Sequence, residues 1–463
     1  MPSWTCGEGR DTAAAQRSTP ARYVLLDSHP LRGLLTLAAP LIVAFSVQTA
    51  FNVVDAIFVG RISAEALAGV SVAYPVQMVM IALGGGIGIG TQSLIARSIG
   101  ARRYDRADHA AQVALVFGLC CGLAAAGIGL AAIDTVMQAL GTPADVLPHV
   151  STYLGIVLLG APAIFLSLGI DAVLRGVGDT RRAMLIMTSA AVANIVLDPL
   201  LIFGFGWGVA GAAVATVVAR YLSLGIGLWY VLRRDARDID LHRDTGLRWP
   251  KTLVPILSVG LPASLSHLSY SVSLFFMNSI LSTYGSEALA VFGVGFRTES
   301  LAFLPMFGLA GAFVSAAGYY WGAGNAARVG ELRTYCYRML IPFMTVCAVV
   351  FFLFPEAIYR VFVDDASVRA MGVPYLRINV LVYPLVPLST VSAAAFQAMG
   401  RGRPPLLIAV VRSWVVVLPL AWYLATVAEG PLTHIWWAMV VGNLAGAVLG
   451  HVWVTASLRG SPG

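Results

Sequence analysis

Four side chains in this sequence have the types and spacing to do chemistry. Asp55, Asn194, Asp198 and Thr216 stand inside long apolar runs. An unpaired carboxylate is costly there, so intramembrane acids are functional by default. Asn194 and Asp198 are four residues apart and on a helix share one face. Two carboxylates, an amide and a hydroxyl, with no cation among them, suit a proton or a sodium ion. Hard cations take oxygen ligands, and two neighbouring carboxylates hold a proton between them because both cannot ionise cheaply. The alternative is a polar network that only ties helices together. A second group of charges, Arg297, Glu299 and Arg412, lies in the later half. Arg297 and Glu299 are two apart, on different helix faces. Glu299 is therefore expected to pair with Arg412, in a polar patch that either contacts substrate or locks the fold.

The elements that carry these groups are legible in the composition. Of 463 residues, 58% are apolar and 11% charged, against about 45–50% and about 25% in soluble domains. A soluble enzyme, a disordered chain and a coiled coil are excluded. Twelve apolar segments, each long enough to cross a bilayer, are expected near 33–59, 66–95, 109–133, 147–174, 183–205, 208–232, 252–282, 288–320, 334–355, 370–399, 404–427 and 431–457. The fold class is an all-α membrane protein. Prolines inside these segments, including Pro40, Pro162 and Pro262, mark bends that neighbouring helices can re-satisfy. Gly84, Gly86, Gly88 and Gly90 fit no phosphate-loop spacing and read as close helix packing. Five cysteines in no C-x-x-C pattern argue against a disulfide framework.

The net charge of +7 invites a nucleic-acid reading, which the placement of the charge removes. Of the thirty bases, 23 fall in or beside the N-terminal tail, the loops after the even-numbered segments and the C-terminus; three lie in the other loops and four inside segments. That alternation is the positive-inside pattern. It places both termini in the cytoplasm and the chain in the cytoplasmic membrane, with lipid and small molecules as partners, no nucleic acid and no cofactor. The chain is expected as a monomer. Residues 1–27 lack an apolar core and read as a disordered cytoplasmic tail rather than a signal peptide.

The sequence also repeats itself. At a shift of 222, Pro40 meets Pro262, Tyr153-Leu154 meets Tyr375-Leu376, Pro162 meets Pro384, and Gly178 and Arg181 meet Gly400 and Arg403. The one irregularity is a slip of two that aligns Gly100 with Gly324. Six segments per half make the repeat parallel, with a pseudo-two-fold axis along the membrane normal. The expected organisation is an N-lobe at 28–232, a cytoplasmic linker at 233–250, a C-lobe at 251–457 and a C-terminus at 458–463, around a central cleft suited to a transporter. Function should lie where the halves differ. Asp55 faces Met277, Asn194 faces Val416, and Asp198 faces Leu420. Segment lengths put the four polar groups together in the outer half of the N-lobe. Gln77 is the mate of Glu299. Arg220 reads as a residue of the inner end of segment 6 that snorkels to the cytoplasm.

These stretches resemble one family. AAPLIVAFSVQTAFNVVDAIFVGRIS in segment 1, LRGVGDTRRAM before segment 5, ANIVLDPLLIFGFGWGVAGAAVAT through segments 5 and 6, and FRTESLAFLPMFGLAGA in segment 8 look like a multidrug and toxic compound extrusion (MATE) transporter of the DinF-like prokaryotic branch, over about residues 28–457. The resemblance implies an antiporter that exports amphipathic, often cationic compounds in exchange for inward H+ or Na+. It implies Asp55, Asn194, Asp198 and Thr216 as the coupling-ion site, Gln48 and Tyr153 beside that chamber, and Pro40 as the bending point of segment 1. A lipid-linked saccharide flippase of the same wider superfamily is the alternative. Such a protein should show a basic cavity, whereas intramembrane acids and bases here balance at four each. No nucleophile–base motif of an intramembrane enzyme is present.

Overall fold

A computed structural model describes residues 20–139, 146–232, 239–242 and 246–460. Among them there is no strand. Eleven helices are long and apolar enough to cross a membrane, and a bent pair supplies a twelfth. We number the spans 1 (Pro30–Gly60), 2 (Ala64–Gly100), 3 (Tyr104–Ala139), 4 (Leu147–Leu159 with Ala161–Gly176), 5 (Thr180–Gly204) and 6 (Gly208–Leu232). The second half holds spans 7 (Trp249–Ser282), 8 (Ser286–Gly322), 9 (Ala326–Leu353), 10 (Ala366–Ala398), 11 (Arg403–Val427) and 12 (Thr433–Arg459). Span 4 bends by 48° at Gly160, where Pro162 cannot donate to the preceding turn. Of the eleven single-helix spans, span 8 is the most enclosed, with 61% of its apolar window buried, and spans 3, 9 and 11, at 22%, form the lipid-facing rim. Cys120 faces that rim, exposed, rather than being buried.

The repeat is visible in the backbone. Gly178 and Gly400, each opening a span, have φ of +82° and +80°. The turns after spans 2 and 8 correct the slip read from the sequence. The left-handed residue is Arg102 in one and Gly324 in the other, with φ of 56° and 77°, and these are 222 apart. Arg103 N donates to Ser98 O just as Asn325 N donates to Tyr320 O. The register does not slip at this turn; Gly100 is glycine for a different reason. A Cβ there would collide with the carbonyl oxygen of Tyr319 on span 8, and a Cβ on Gly322 would collide with that of Arg97 on span 2.

Those two glycines belong to a seam. The halves meet where span 2 crosses spans 7 and 8 and where span 1 crosses span 8. Gly84 and Gly88 face Leu168 and Ala172 of span 4, while Gly86 and Gly90 face Ser264 and Ile256 of span 7. The glycine run thus packs span 2 on two sides, as its spacing suggests. Gln92 Nε2 donates to Gly311 O (2.9 Å) and Ser315 Oγ (2.8 Å), and Ser315 Oγ donates to Arg175 O (2.7 Å). His109 Nδ1 and Thr252 Oγ1 lie 2.7 Å apart across the same divide. All these contacts lie in the half of the bundle that bears both chain ends.

Two features at this end depart from the expected organisation. Residues 21–27, expected in a disordered tail, form the helix Ala21–Ser28; residues 1–19 lie outside the described residues. Its Tyr23 donates to Gly176 O of span 4 (2.6 Å) and stacks on Tyr319 of span 8 with ring centroids 4.5 Å apart. Tyr319 donates to Asp27 (2.8 Å) and Tyr320 to Leu26 O (2.7 Å). Eight residues without a strong amphipathic pattern are too short to be stable alone, so these contacts hold the helix. Residues 233–238 and 243–245 of the expected linker lie outside the described residues, but Ile239 is buried and Asp240 N donates to Asp108 (2.9 Å).

At the same end Arg175 and Asp171 form a buried ion pair on span 4, as their spacing suggests. Removing one partner strands the other charge, which costs about 3–5 kcal/mol. Asp171→Ala should therefore lower the melting temperature of the purified protein markedly, and Asp171→Ala/Arg175→Met should recover most of the loss. A single variant that melts like the wild type would contradict the pairing.

Candidate functional site

Span 5 begins where Asp179 caps it, accepting from Arg182 N at 3.1 Å, and carries Asn194 and Asp198 on one face. Asp198 is fully buried and Asn194 is 2% exposed. Asn194 Nδ2 donates to Asp198 Oδ1 at 3.0 Å. Pro199 follows at once, and the helix then widens into a π turn at Leu200–Gly204. A π turn also occupies Tyr423–Val427 of span 11, one residue off the repeat register. The widened turn is therefore inherited by both halves, and the acid before it is particular to the first.

Asp55 of span 1 is the carboxyl neighbour of Asp198, near enough for the two groups to interact. Two neighbouring carboxyls hold a proton between them more readily than two charges. Asp198 Oδ2 and Asn194 Oδ1 are buried with no donor supplied. A small chamber opens beside them, lined by Gln48, Phe51, Asn194, Thr216 and Arg220. Thr216 Oγ1 donates back to Ala212 O at 3.1 Å, which leaves its lone pairs for the chamber. Gln48 is held by donating to Asn52 Oδ1 at 3.2 Å, one turn along span 1. Tyr153 is buried beside both carboxyls, and its hydroxyl accepts from Gln77 Nε2 at 3.1 Å. All six residues expected here are in one neighbourhood. Pro40 lies inside span 1, which runs unbroken through it.

Two of this neighbourhood's groups were not expected in it. Gln77 was seen only as the mate of Glu299. Arg220 was placed at the inner end of span 6, free to reach the cytoplasm. It sits twelve residues from either end of Gly208–Leu232, about 18 Å at 1.5 Å per residue, and its side chain lines the chamber. The polar set therefore does include a cation.

The second half corrects the expected Glu299–Arg412 pair. Tyr375 donates to Glu299 Oε1 at 3.0 Å, and Arg412 instead lies over the Tyr270 ring, 5.7 Å from its centroid. Arg297 is exposed on another face of span 8. Arg297 stands apart, while Glu299 and Arg412 share Tyr270 as a neighbour without pairing directly. Glu299–Tyr375 is the repeat mate of Gln77–Tyr153: the same contact, 222 residues on, with an amide donor in one half and a carboxylate acceptor in the other.

This geometry has relatives. The profile of the MatE family matches residues 40–200 and again 262–423. The chain belongs to the MATE family. The two matches begin 222 residues apart, at Pro40 and Pro262, in the register of the repeat. The chain is 28% identical to a probable multidrug resistance protein NorM of Thermotoga maritima, over 88% of each sequence. It is 27% identical to a FAD transporter of Shewanella oneidensis, over 86% of this chain and 89% of that one. A solved outward-facing multidrug resistance MATE transporter of the MOP superfamily superposes with a TM-score of 0.91 at 32% identity, covering 96% of this chain and all of the other. The chain is thus a MATE-family membrane transporter with the fold read from its repeat, and it is not an enzyme.

Proposed function

We propose that this MATE chain is a secondary active exporter that releases amphipathic compounds outward in exchange for inward protons. The single observation behind this reading is the Asp55–Asp198 carboxyl pair, close enough to share a proton, at one end of a chamber between spans 1, 5 and 6. Relatives named for multidrug resistance support export of varied compounds. The concentration of bases at the end bearing both chain termini makes that end cytoplasmic, and the glycine seam then closes the cytoplasmic side and leaves the chamber facing out.

The cycle follows from the residues. With the pair deprotonated, two charges in a poorly hydrated chamber attract a cationic group. A proton entering from outside neutralises the pair and removes that attraction, so the compound leaves. Asn194 holds one Asp198 oxygen in place through either state, which keeps the carboxyl aimed at Asp55. Pro40 has no N–H for the preceding turn, so span 1, which carries Asp55 and Gln48, can hinge there when the pair changes charge. Binding of proton and compound must weaken each other by the same factor. Two lobes at 28–232 and 251–457, rocking about the seam, would carry the chamber from one face to the other.

The test is uptake of rhodamine 123 by inverted proteoliposomes under a proton gradient or a sodium gradient alone. Proton-driven uptake is expected, with none once the gradient is collapsed. Uptake driven by sodium alone would overturn the choice of ion, and uptake with no gradient would overturn antiport.

A further inference from the structure

The charge left over in the chamber is Arg220. A guanidinium stays ionised in any protein environment, and one held at bilayer depth needs a partner. Among the described residues no carboxylate comes within 4.0 Å of it. It is too far from both ends of span 6 to reach water along the lipid. Its neighbours in the chamber are Gln48, Phe51, Asn194 and Thr216. Asn194 divides the site in two. On one side its amide nitrogen donates to Asp198, next to Asp55; on the other it lines the space that Arg220 enters. The site is therefore bipolar, acidic toward the outer end and basic one helical turn beyond Thr216. Its free space of about 10 Å³ has room for about one water-sized group. It takes one end of a compound.

We propose that Arg220 binds an anionic group of the transported compound, a carboxylate or a phosphate, while the carboxyl pair faces its cationic or protonated part. The preferred class is then zwitterionic amphiphiles, with plain cations bound more weakly. The planar fork of a guanidinium matches either anion with two parallel hydrogen bonds. This rests on the export reading, and it sharpens that reading's substrate.

Two matched pairs of probes test it. Rhodamine 110 carries a free carboxylate and rhodamine 123 is its methyl ester. Riboflavin 5′-phosphate and riboflavin differ by the phosphate alone. Binding is read by fluorescence with purified protein in nanodiscs, which needs no gradient. Wild type should prefer the anionic member of at least one pair, and Arg220→Gln should reduce that preference about tenfold, as expected for loss of a charge-assisted bond. Arg220→Lys keeps the charge without the fork and should fall between. The pair that responds identifies carboxylate or phosphate. No preference in the wild type, or an Arg220→Gln protein that melts normally and loses both members of each pair equally, overturns the proposal. If Arg220→Gln does not fold, the wild-type preference and the lysine variant decide alone: an unchanged preference in Arg220→Lys and a wild-type preference for the neutral members each overturn it. Failure of proton-driven transport would defeat the export reading while leaving these binding ratios as they stand.

Discussion

Asp198→Asn is expected to reduce gradient-driven export to background while the purified protein melts within a few degrees of the wild type. The amide has nearly the shape of the carboxylate, and its oxygen still accepts from Asn194, so the fully buried side chain keeps its packing and its one established hydrogen bond. What it loses is a proton to take up and give away. Asp55→Asn should behave alike, and the double variant should be no worse than either single one, because two residues that act as one unit are not additive. Compound binding in either variant should become insensitive to external pH, since the group that couples the two is gone. Export by Asp198→Asn under an imposed proton gradient would show that the pair is not the coupling site. A protein that fails to fold would show instead that the pair is a structural tie.

The second large effect is expected from the seam. Gly90→Val with Gly322→Val places side chains against the carbonyl oxygens of Ile256 and Arg97, where even a Cβ finds no room. Overpacking costs about 1–3 kcal/mol per site, at times more. Two sites together approach the roughly 5.5 kcal/mol that reverses a two-state population from 99:1 to 1:99. If the halves part at this end during transport, the cost falls on the closed arrangement alone. The variant should then remain folded, stop transporting, and expose single cysteines placed at Ser93 and Ser315 to a bulky water-soluble maleimide. A variant that melts far below the wild type without such exposure would mean that the seam stays shut throughout the cycle.

The spans, their number and their duplication were legible because hydropathy and a fixed shift are properties of the chain alone. So was the cluster of Asp55, Asn194, Asp198 and Thr216, because helix spacing and depth determine which groups can meet. Partner choice was not. Glu299 had a charge within reach in Arg412, but the repeat already held the answer: Gln77 and Tyr153 are the mates of Glu299 and Tyr375, and a contact kept by both halves is a better guide than complementary charge. The Gly100–Gly324 alignment failed because glycine serves two ends. One is a left-handed turn, which Arg102 also supports; the other is close approach, which only glycine permits. Arg220 was misplaced although the bounds of its span were read correctly, because a long basic side chain was assumed to seek water when a chamber lay nearer. The helix Ala21–Ser28 could not be read at all, since its stability comes from two tyrosines some 300 residues away.

If the halves part at this end during transport, that helix acts as a brake. Tyr23 grips span 4 and stacks on span 8, and span 8 holds Asp27 and Leu26 in return. The single bond to span 4, at about 0.5–1.5 kcal/mol, must break before those two spans can separate, which favours the shut arrangement by roughly twofold to tenfold. A chain begun at residue 29 would idle closer to the opposite arrangement, and a tag fused directly ahead of Ala21 would alter the turnover it was meant to report.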